Sequence, residues 1–279
     1  MSVRMEGKKT LVVGGGQPAS LHVGIGRAIS ETFAREGAEV CVVDRVLERA
    51  GETAQEITAA GGRAHAIAAD VGDPESCARL VNEAHALMGR IDAMVNNVAT
   101  EEGDNDPLTL EVDGWQRVMD VNLRAMWLTC RAVLPIMQEQ RSGTIVNTSS
   151  VGSKTTGGSM FAYGISKAGV DAMTQKLAVV FAPWGIRCNS VLPAWVATQH
   201  SMDGLMQAGF ASSEEEIFEM GRRANPLGRM GTAWDVANAV LFLSSDESCH
   251  TTGVNFPVDG GTTSVIGGYQ RPKNAPQPH

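Results

Sequence analysis

Short, nearly continuous apolar runs recur along this chain, separated by longer stretches in which apolar positions return every three or four residues. The runs lie at residues 10–13, 39–43, 64–69, 91–95, 144–147, 187–192 and 254–258. An unbroken apolar run of this length predicts a strand buried on both faces, which is the condition of a parallel sheet covered by helices. The intervening stretches at 26–36, 47–60, 74–88, 115–138, 160–180 and 234–243 have helical length and spacing. Strand and helix therefore alternate, and the predicted fold class is α/β: a single-domain, doubly wound parallel sheet of about seven strands with helices on both faces. No linker divides the chain, so residues 1–266 are expected to form one domain. Residues 199–228 break the pattern with Glu214-Glu215-Glu216 set among Met202, Leu205, Met206, Phe210, Ile217 and Phe218. That stretch reads either as an ordinary helical excursion or as a lid over a substrate site. Residues 267–279, with three prolines, read as a C-terminal tail.

Composition narrows the possibilities. The chain has 279 residues, 43% hydrophobic and 19% charged, with a net charge of -8. That length buries roughly three quarters of the unfolded surface in one core. No apolar run approaches the roughly 18 residues of a membrane span, and residues 1–9 lack the apolar stretch of a secretory signal. An acidic chain without a basic block is a poor match for nucleic acid. Cys41, Cys77, Cys130, Cys188 and Cys249 are scattered and form no CxxC pair. They are expected to be buried thiols in a reducing compartment, with no metal site, and the chain is expected in the cytoplasm.

Two constellations carry candidate chemistry. The first strand ends in Gly14-Gly15-Gly16, and Gly24-Ile25-Gly26 opens the next helix. Glycines permit tight turns and close approach of a ligand, and a helix N-terminus offers unpaired N–H groups to a pyrophosphate. The interval from Gly14 to Gly24 is longer than in the common dinucleotide turn, so the intervening residues, Ser20 among them, must loop out or cradle a group. Asp44 ends the second strand. A carboxylate there accepts the ribose hydroxyls of NAD and repels the 2′-phosphate of NADP, although Arg45 beside it is able to receive that phosphate. The competing reading makes Asp44 the cap of the helix at 47. Asp70-Val71 repeats the geometry after the third strand, to contact an adenine edge or to cap the helix at 74.

The second constellation is Tyr163 and Lys167, four residues apart on one helical face. A tyrosine pKa near 10 is too high for a proton shuttle at neutral pH. Lowering it toward 7 requires about 4 kcal/mol, which two nearby cations, the lysine ammonium and a nicotinamide ring, are able to supply. Such a phenol is a general acid or base for an alcohol–carbonyl interconversion. Ser150, at the end of the strand at 144–148, is positioned to hold the substrate oxygen. Asn122 lies within the 115–138 helical stretch, exposed or in a hydrogen-bond network.

Taken in order, the glycine-rich turn, Asp44, Asp70-Val71, Asn96-Asn97-Val98-Ala99, Asn122, Ser150, Tyr163-xxx-Lys167 and Pro193-Ala194-Trp195-Val196-Ala197-Thr198 resemble the classical short-chain dehydrogenase/reductase family from about residue 7 to 261. The resemblance implies catalytic roles for Asn122, Ser150, Tyr163 and Lys167, with Asn122 holding a water for proton relay and Lys167 binding the nicotinamide ribose. It implies that Asn97 and Val98 line the cofactor cleft, and that Pro193, Val196 and Thr198 hold the nicotinamide carboxamide. Asp259-Gly260-Gly261 resembles the last-strand turn found at subunit interfaces, and pairing through the two long helices implies a homotetramer. The sequence departs from the pattern at Val98-Ala99, in place of Ala-Gly, and at Ala194, in place of Gly. The span of residues 14–26 matches the turn of divergent enoyl-thioester reductases, whose tyrosine precedes lysine by seven; here that position is Met160.

The expected activity is NAD(H)-dependent interconversion of a secondary alcohol and a ketone acting on a small molecule. A 3-oxoacyl-thioester reductase and a non-catalytic nucleotide sensor are the alternatives. For the former, Arg124 and Arg131 are the available carrier-docking cations. Trp195, Met202, Leu205, Met206 and Phe210 read as a substrate wall or as packing, and Arg222 and Arg223 as carboxylate ligands or solvated surface.

Overall fold

The computed structural model describes residues 3–17, 20–155, 160–207 and 209–265. Its centre is a seven-stranded parallel sheet ordered β3-β2-β1-β4-β5-β6-β9. The strands are β1 (Lys9–Val13), β2 (Glu39–Asp44), β3 (Arg63–Ala68), β4 (Ala93–Asn96), β5 (Gly143–Thr148), β6 (Ile186–Pro193) and β9 (Asn255–Val258). A two-stranded parallel ribbon, β7 (Val196–Ala197) with β8 (Gly231–Thr232), lies beyond the end of β6. The helices are α1 (Ile25–Arg35), α2 (Leu47–Ala59), α3 (Pro74–Met88), α4 (Val112–Met119), α5 (Ala125–Gln140), α6 (Phe161–Phe181), α7 (Gln199–Gln207), α8 (Glu214–Ala224) and α9 (Ala233–Ser244).

The two-residue side-chain period of the strands divides the core. Leu11, Val13, Cys41 and Val43 face a layer that includes Cys77, Leu80 and Val81 of α3 and Cys130, Val133 and Met137 of α5. Val12, Val40 and Val42 face Ile29 and Phe33 of α1, Ile57 of α2 and Val236, Val240 and Leu243 of α9. Because both faces are covered, the strands tolerate no polar alternation, which is why they read as unbroken runs. The sheet reverses direction of growth between β1 and β4, and in such sheets the crevice at the carboxyl ends of those strands is where ligands sit.

Two local features differ from the sequence reading, at the 115–138 helix and at Cys249, while residues 199–228 are helical as one of its alternatives had it. The helix expected at 115–138 is longer and is interrupted: α4 and α5 flank a π-helical segment, Asp120–Arg124, centred on Asn122. Residues 199–228 form α7 and α8, which close on their own small core of Met202, Ile217 and Met230. Four cysteines are buried as expected, but Cys249 is exposed. Among the described residues no helix is long and apolar enough to cross a membrane, and no cluster of ligating side chains could hold a metal ion. The tail at 267–279 lies outside the described residues.

Candidate active site

The glycine turn is built by close approach. Gly14 has φ +83°, and its N–H donates to the Val43 carbonyl at 2.8 Å. A Cβ on Gly14 would lie 2.8 Å from a methyl of Val98. At Gly26 a Cβ would fall 1.9 Å from the Gly14 carbonyl oxygen, so only glycine lets α1 start against the turn. Ile25 begins α1 and packs on the core, while Gly24 is its N-cap and supplies no side-chain cap. The longer interval is occupied by a small polar knot: Gln17 bonds to Ser20, to the Gly24 N–H and to the His22 carbonyl, and the Ser20 hydroxyl donates to the same carbonyl at 3.1 Å. Asn97 donates to the Gly14 carbonyl at 3.1 Å and accepts from Thr148 Oγ1 at 3.2 Å, tying β1, β4 and β5 at the floor of the crevice.

Asp44 is half-buried at the end of β2 and accepts the Val46 N–H at 2.9 Å. Val46 is the N-cap of α2, so Asp44 is not the helix cap. Burial pushes its carboxyl above the ordinary value, against the pull of the Val46 N–H and of Arg49 and Arg45. Asp70 is exposed and accepts the Gly72 N–H at 2.9 Å, while Asp73, not Asp70, caps α3. Val71 is buried in the core. Pro193 ends β6 beside Val258 of β9, Val196 is buried in β7, and Thr198 caps α7 by accepting the Ser201 N–H at 3.2 Å. The turn at Ala194, which has alanine in place of glycine, places its left-handed backbone one residue later, at Trp195 with φ +50°. A non-glycine residue there costs about 1–2 kcal/mol.

Ser150, Tyr163 and Lys167 come together at the carboxyl end of β5. Ser150 follows β5, accepts the Gly152 N–H at 3.1 Å, and its hydroxyl lies near enough to Tyr163 to draw the phenol pKa down. Lys167 is 1% exposed; its Nζ donates to the Thr148 carbonyl at 2.8 Å and lies 5.5 Å from the centre of the Tyr163 ring. Burial lowers the ammonium pKa to about 8, although Glu101 and Asp171 oppose that fall. Burial pushes the Tyr163 phenol up to about 12; the neighbouring Ser150 hydroxyl lowers it less than burial raises it, and the Glu101 carboxylate adds to the rise. The lysine alone does not make this phenol acidic.

Asn122 is fully buried. Its Oδ1 accepts the Thr100 N–H at 2.7 Å, and its Nδ2 donates to the Thr100 carbonyl at 2.9 Å and to Ser166 Oγ at 3.1 Å. Ser166 in turn donates to the Tyr163 carbonyl at 2.7 Å. The side chain thus clamps the segment after β4 to α6, and the π-helical turn is what carries it there. π-turns of this kind are frequent at functional sites.

Sequence reasoning missed Asp104. Its carboxylate accepts the Ala162 N–H at 2.9 Å and the Tyr163 N–H at 2.7 Å, capping α6 at Tyr163 from 58 and 59 positions away. No local motif signals a cap supplied from so far along the chain. Glu101, in the same segment, pairs with His200 of α7 at 3.0 Å, and His22 of the glycine loop pairs with Glu214 of α8 at 3.2 Å. The other candidates are engaged elsewhere. Arg222 and Arg223 both pair with Glu219, Arg124 pairs with Asp120, and Arg131 lies over the Trp127 ring. Met202 is wholly buried packing, and Phe210 is exposed.

These residues fit a nicotinamide dinucleotide. Gly26 lets α1 start against the glycine turn with no side-chain cap at its N-terminus, Asp44 is a half-buried carboxylate at the carboxyl end of β2, and the Lys167 ammonium spends one donor on Thr148. Comparison with known proteins agrees with this reading. A family profile described as Enoyl-(Acyl carrier protein) reductase matches residues 19–263. The chain is 34% identical over 260 residues to 7alpha-hydroxysteroid dehydrogenase of Clostridium sardiniense, covering 92% of this chain and 94% of that one. It is 33% identical over 264 residues to cyclohexanol dehydrogenase of Acinetobacter sp. (strain SE19), covering 95% and 98%. The solved structure of a 7 alpha-hydroxysteroid dehydrogenase complexed with NADH and 7-oxo glycochenodeoxycholic acid superposes with a TM-score of 0.83 at 28% identity, covering 93% of this chain and 96% of that one. With its sheet order, its crevice and the Ser150, Tyr163 and Lys167 cluster, the chain belongs to the short-chain dehydrogenase/reductase family of nicotinamide-dependent oxidoreductases.

Proposed function

We propose that this chain is an NAD(H)-dependent oxidoreductase that interconverts a secondary alcohol and its ketone, with Tyr163 as the acid/base. The observation that carries the proposal is the convergence of Ser150 and Tyr163 at the carboxyl end of β5, with a buried Lys167 ammonium 5.5 Å from the Tyr163 ring centre. When bound, the dinucleotide supplies the hydride donor or acceptor. The protein's own residues handle the oxygen and its proton. Ser150 holds the substrate oxygen by a hydrogen bond, next to the Tyr163 hydroxyl. In the reducing direction the phenol gives its proton to the oxygen as the carbonyl becomes an alcohol; in the oxidising direction the phenolate takes it back. Lys167 offers its remaining N–H donors to the nicotinamide ribose and keeps positive charge close to the phenol. Asn122 and Asp104 position α6, and with it Tyr163; a water held at Asn122 for proton relay belongs to the same reading, using the one acceptor site its side chain leaves open.

Asp44 favours NAD over NADP, since its carboxylate faces the ribose position and Arg45 is exposed. Asp70 and Val71 contribute the adenine edge, Asn97 and Val98 line the cleft, and Pro193, Val196 and Thr198 receive the carboxamide. We assign residues 199–228 as a lid, because α7 and α8 carry their own small core and touch the crevice through His200 and His22. We assign a homotetramer from the apolar groove of about 550 Å³ between the two long helices, lined by Met119, Leu123, Trp127 and Met173. Reduction of a carrier-bound 3-oxoacyl thioester finds less support, because Arg124 and Arg131 are already engaged; reduction of an enoyl thioester finds less still, because the tyrosine stands four residues, not seven, before the lysine.

The test follows nicotinamide absorbance with both cofactors across cyclic, aromatic, steroid, polyol and hydroxyacyl alcohols. Turnover with NAD is expected, and Tyr163→Phe is expected to lower kcat by about 10²–10⁴-fold. Full turnover by that variant overturns the proton-transfer role, and a strong NADP preference overturns the role of Asp44. Binding without turnover across the panel favours the sensor.

A further inference from the structure

The mechanism above leaves one charged pair in the cleft unused. The His200 Nε2 lies 3.0 Å from Oε1 and 3.2 Å from Oε2 of Glu101, joining α7 to the segment after β4. The carboxylate lies close to α7 at Gly204, where an added Cβ would come within 3.4 Å of Glu101 Oε1. The backbone on either side is pinned to α6, by Asn122 through Thr100 and Ser166 and by Asp104 through the Ala162 and Tyr163 amides. The position of Glu101 along the cleft is therefore set by its neighbours. Its charge is felt at both reacting groups, raising the pKa of the Tyr163 phenol and supporting the Lys167 ammonium. The hydrogen bond from His200 holds the Glu101 carboxyl below its usual range, so it is ionised at neutral pH.

A fixed carboxylate acts on substrates in two ways. It repels a second anion beside it, more strongly at the half-buried Glu101 than between two fully solvated charges. It also accepts hydrogen bonds from hydroxyl groups. One imidazole N–H does not saturate its two oxygens, which together offer about four acceptor sites. We infer that the Glu101–His200 pair determines specificity, selecting uncharged substrates that carry a second hydroxyl close to the reacting carbon and rejecting those with a carboxylate there. The inference rests on the alcohol–ketone reading above and names its substrate class.

Three probes of one ring size isolate the effect: cyclohexanol, trans-cyclohexane-1,2-diol and 3-hydroxycyclohexanecarboxylate. Their dissociation constants are measured against the NAD-loaded Tyr163→Phe protein by tryptophan fluorescence, where chemistry is silent. The diol is expected to bind best and the carboxylate worst. Adding Glu101→Gln is expected to cut the diol's advantage over cyclohexanol about tenfold and to admit the carboxylate. Adding His200→Ala is expected to do the opposite for the carboxylate, deepening its exclusion, because Glu101 then loses its counter-charge. A contact serving only to hold α7 would not give shifts of opposite sign. The inference is overturned if Glu101→Gln moves all three constants together, or if the protein carrying Glu101 binds the three alike or binds none. Failure of the underlying reading is seen separately, as undiminished turnover by Tyr163→Phe, and leaves these ratios untouched.

Discussion

Tyr163 keeps its proton in this cleft, and Lys167 holds its own less firmly than a free lysine. Both shifts have burial as their largest cause, and they run in opposite directions: the phenol rises to about 12 and the ammonium falls to about 8. The sign for ketone reduction follows. The phenol stays protonated across the neutral range, so the acid is present. The ammonium is fully present well below pH 8 and is lost as pH rises through about 8. Reduction, followed as kcat/KM for the dinucleotide, which reports the free enzyme, is therefore expected to be level near neutrality and to fall through that region. A profile level to pH 10 would show that Lys167 retains its charge. Asp104 acts at the same scale. Asp104→Ala removes the acceptor of two α6 amides and is expected to cost about 1–2 kcal/mol in denaturant unfolding, together with a lower kcat. A variant that lost stability alone would show that the cap does not place Tyr163.

At the scale of elements, the glycine loop and the helices of residues 199–228 are linked. His22 pairs with Glu214 and lies near the Phe218 ring, with centroids 6.1 Å apart. His22→Ala is expected to speed hydrogen exchange across Glu214–Ala224 while leaving the sheet amides unchanged. Equal exchange in the two proteins would mean that α8 is held by its own core alone. The same scale shows what was legible beforehand. Strand positions were legible because burial on both faces leaves an unbroken apolar run, as at Val40, Cys41, Val42 and Val43. The Tyr163 and Lys167 pair was legible because one helix carries both. The π-helical turn was not, because its cause is tertiary: Asn122 must reach Thr100 and Ser166 at once. The ribbon of β7 and β8 escaped notice because Val196 and Ala197 are too short a run to signal a strand. Asp104 and Glu101 read as loop carboxylates, and only the folded chain brings them to α6 and α7.

For the molecule as a whole, the long helices present part of the exposed apolar surface. Trp127, Val179 and Val180 are exposed, and the groove beside Trp127 is lined by side chains of α4, α5 and α6. Isolated exposed apolar residues are ordinary, but a contiguous groove between two helices fits a partner helix. Met173→Glu places a charge in that groove and is expected to shift the protein to a smaller assembly in light scattering, with its far-ultraviolet circular dichroism unchanged. An unaltered mass would exclude this face as the subunit contact.

The position of β9 bears on how the protein is made. β6 pairs with β5 on one side and waits for Asn255–Val258 on the other. The Ala194 amide, at the entrance to the carboxamide segment, donates to the Val258 carbonyl. A ribosome delivers the chain from its first residue onward, so a nascent protein carries β6 as an unsealed margin until residue 255 has left the exit tunnel. Coenzyme capture on such an intermediate is expected to await translation of the final strand, and premature termination before that point leaves an adhesive edge exposed to its neighbours on the polysome.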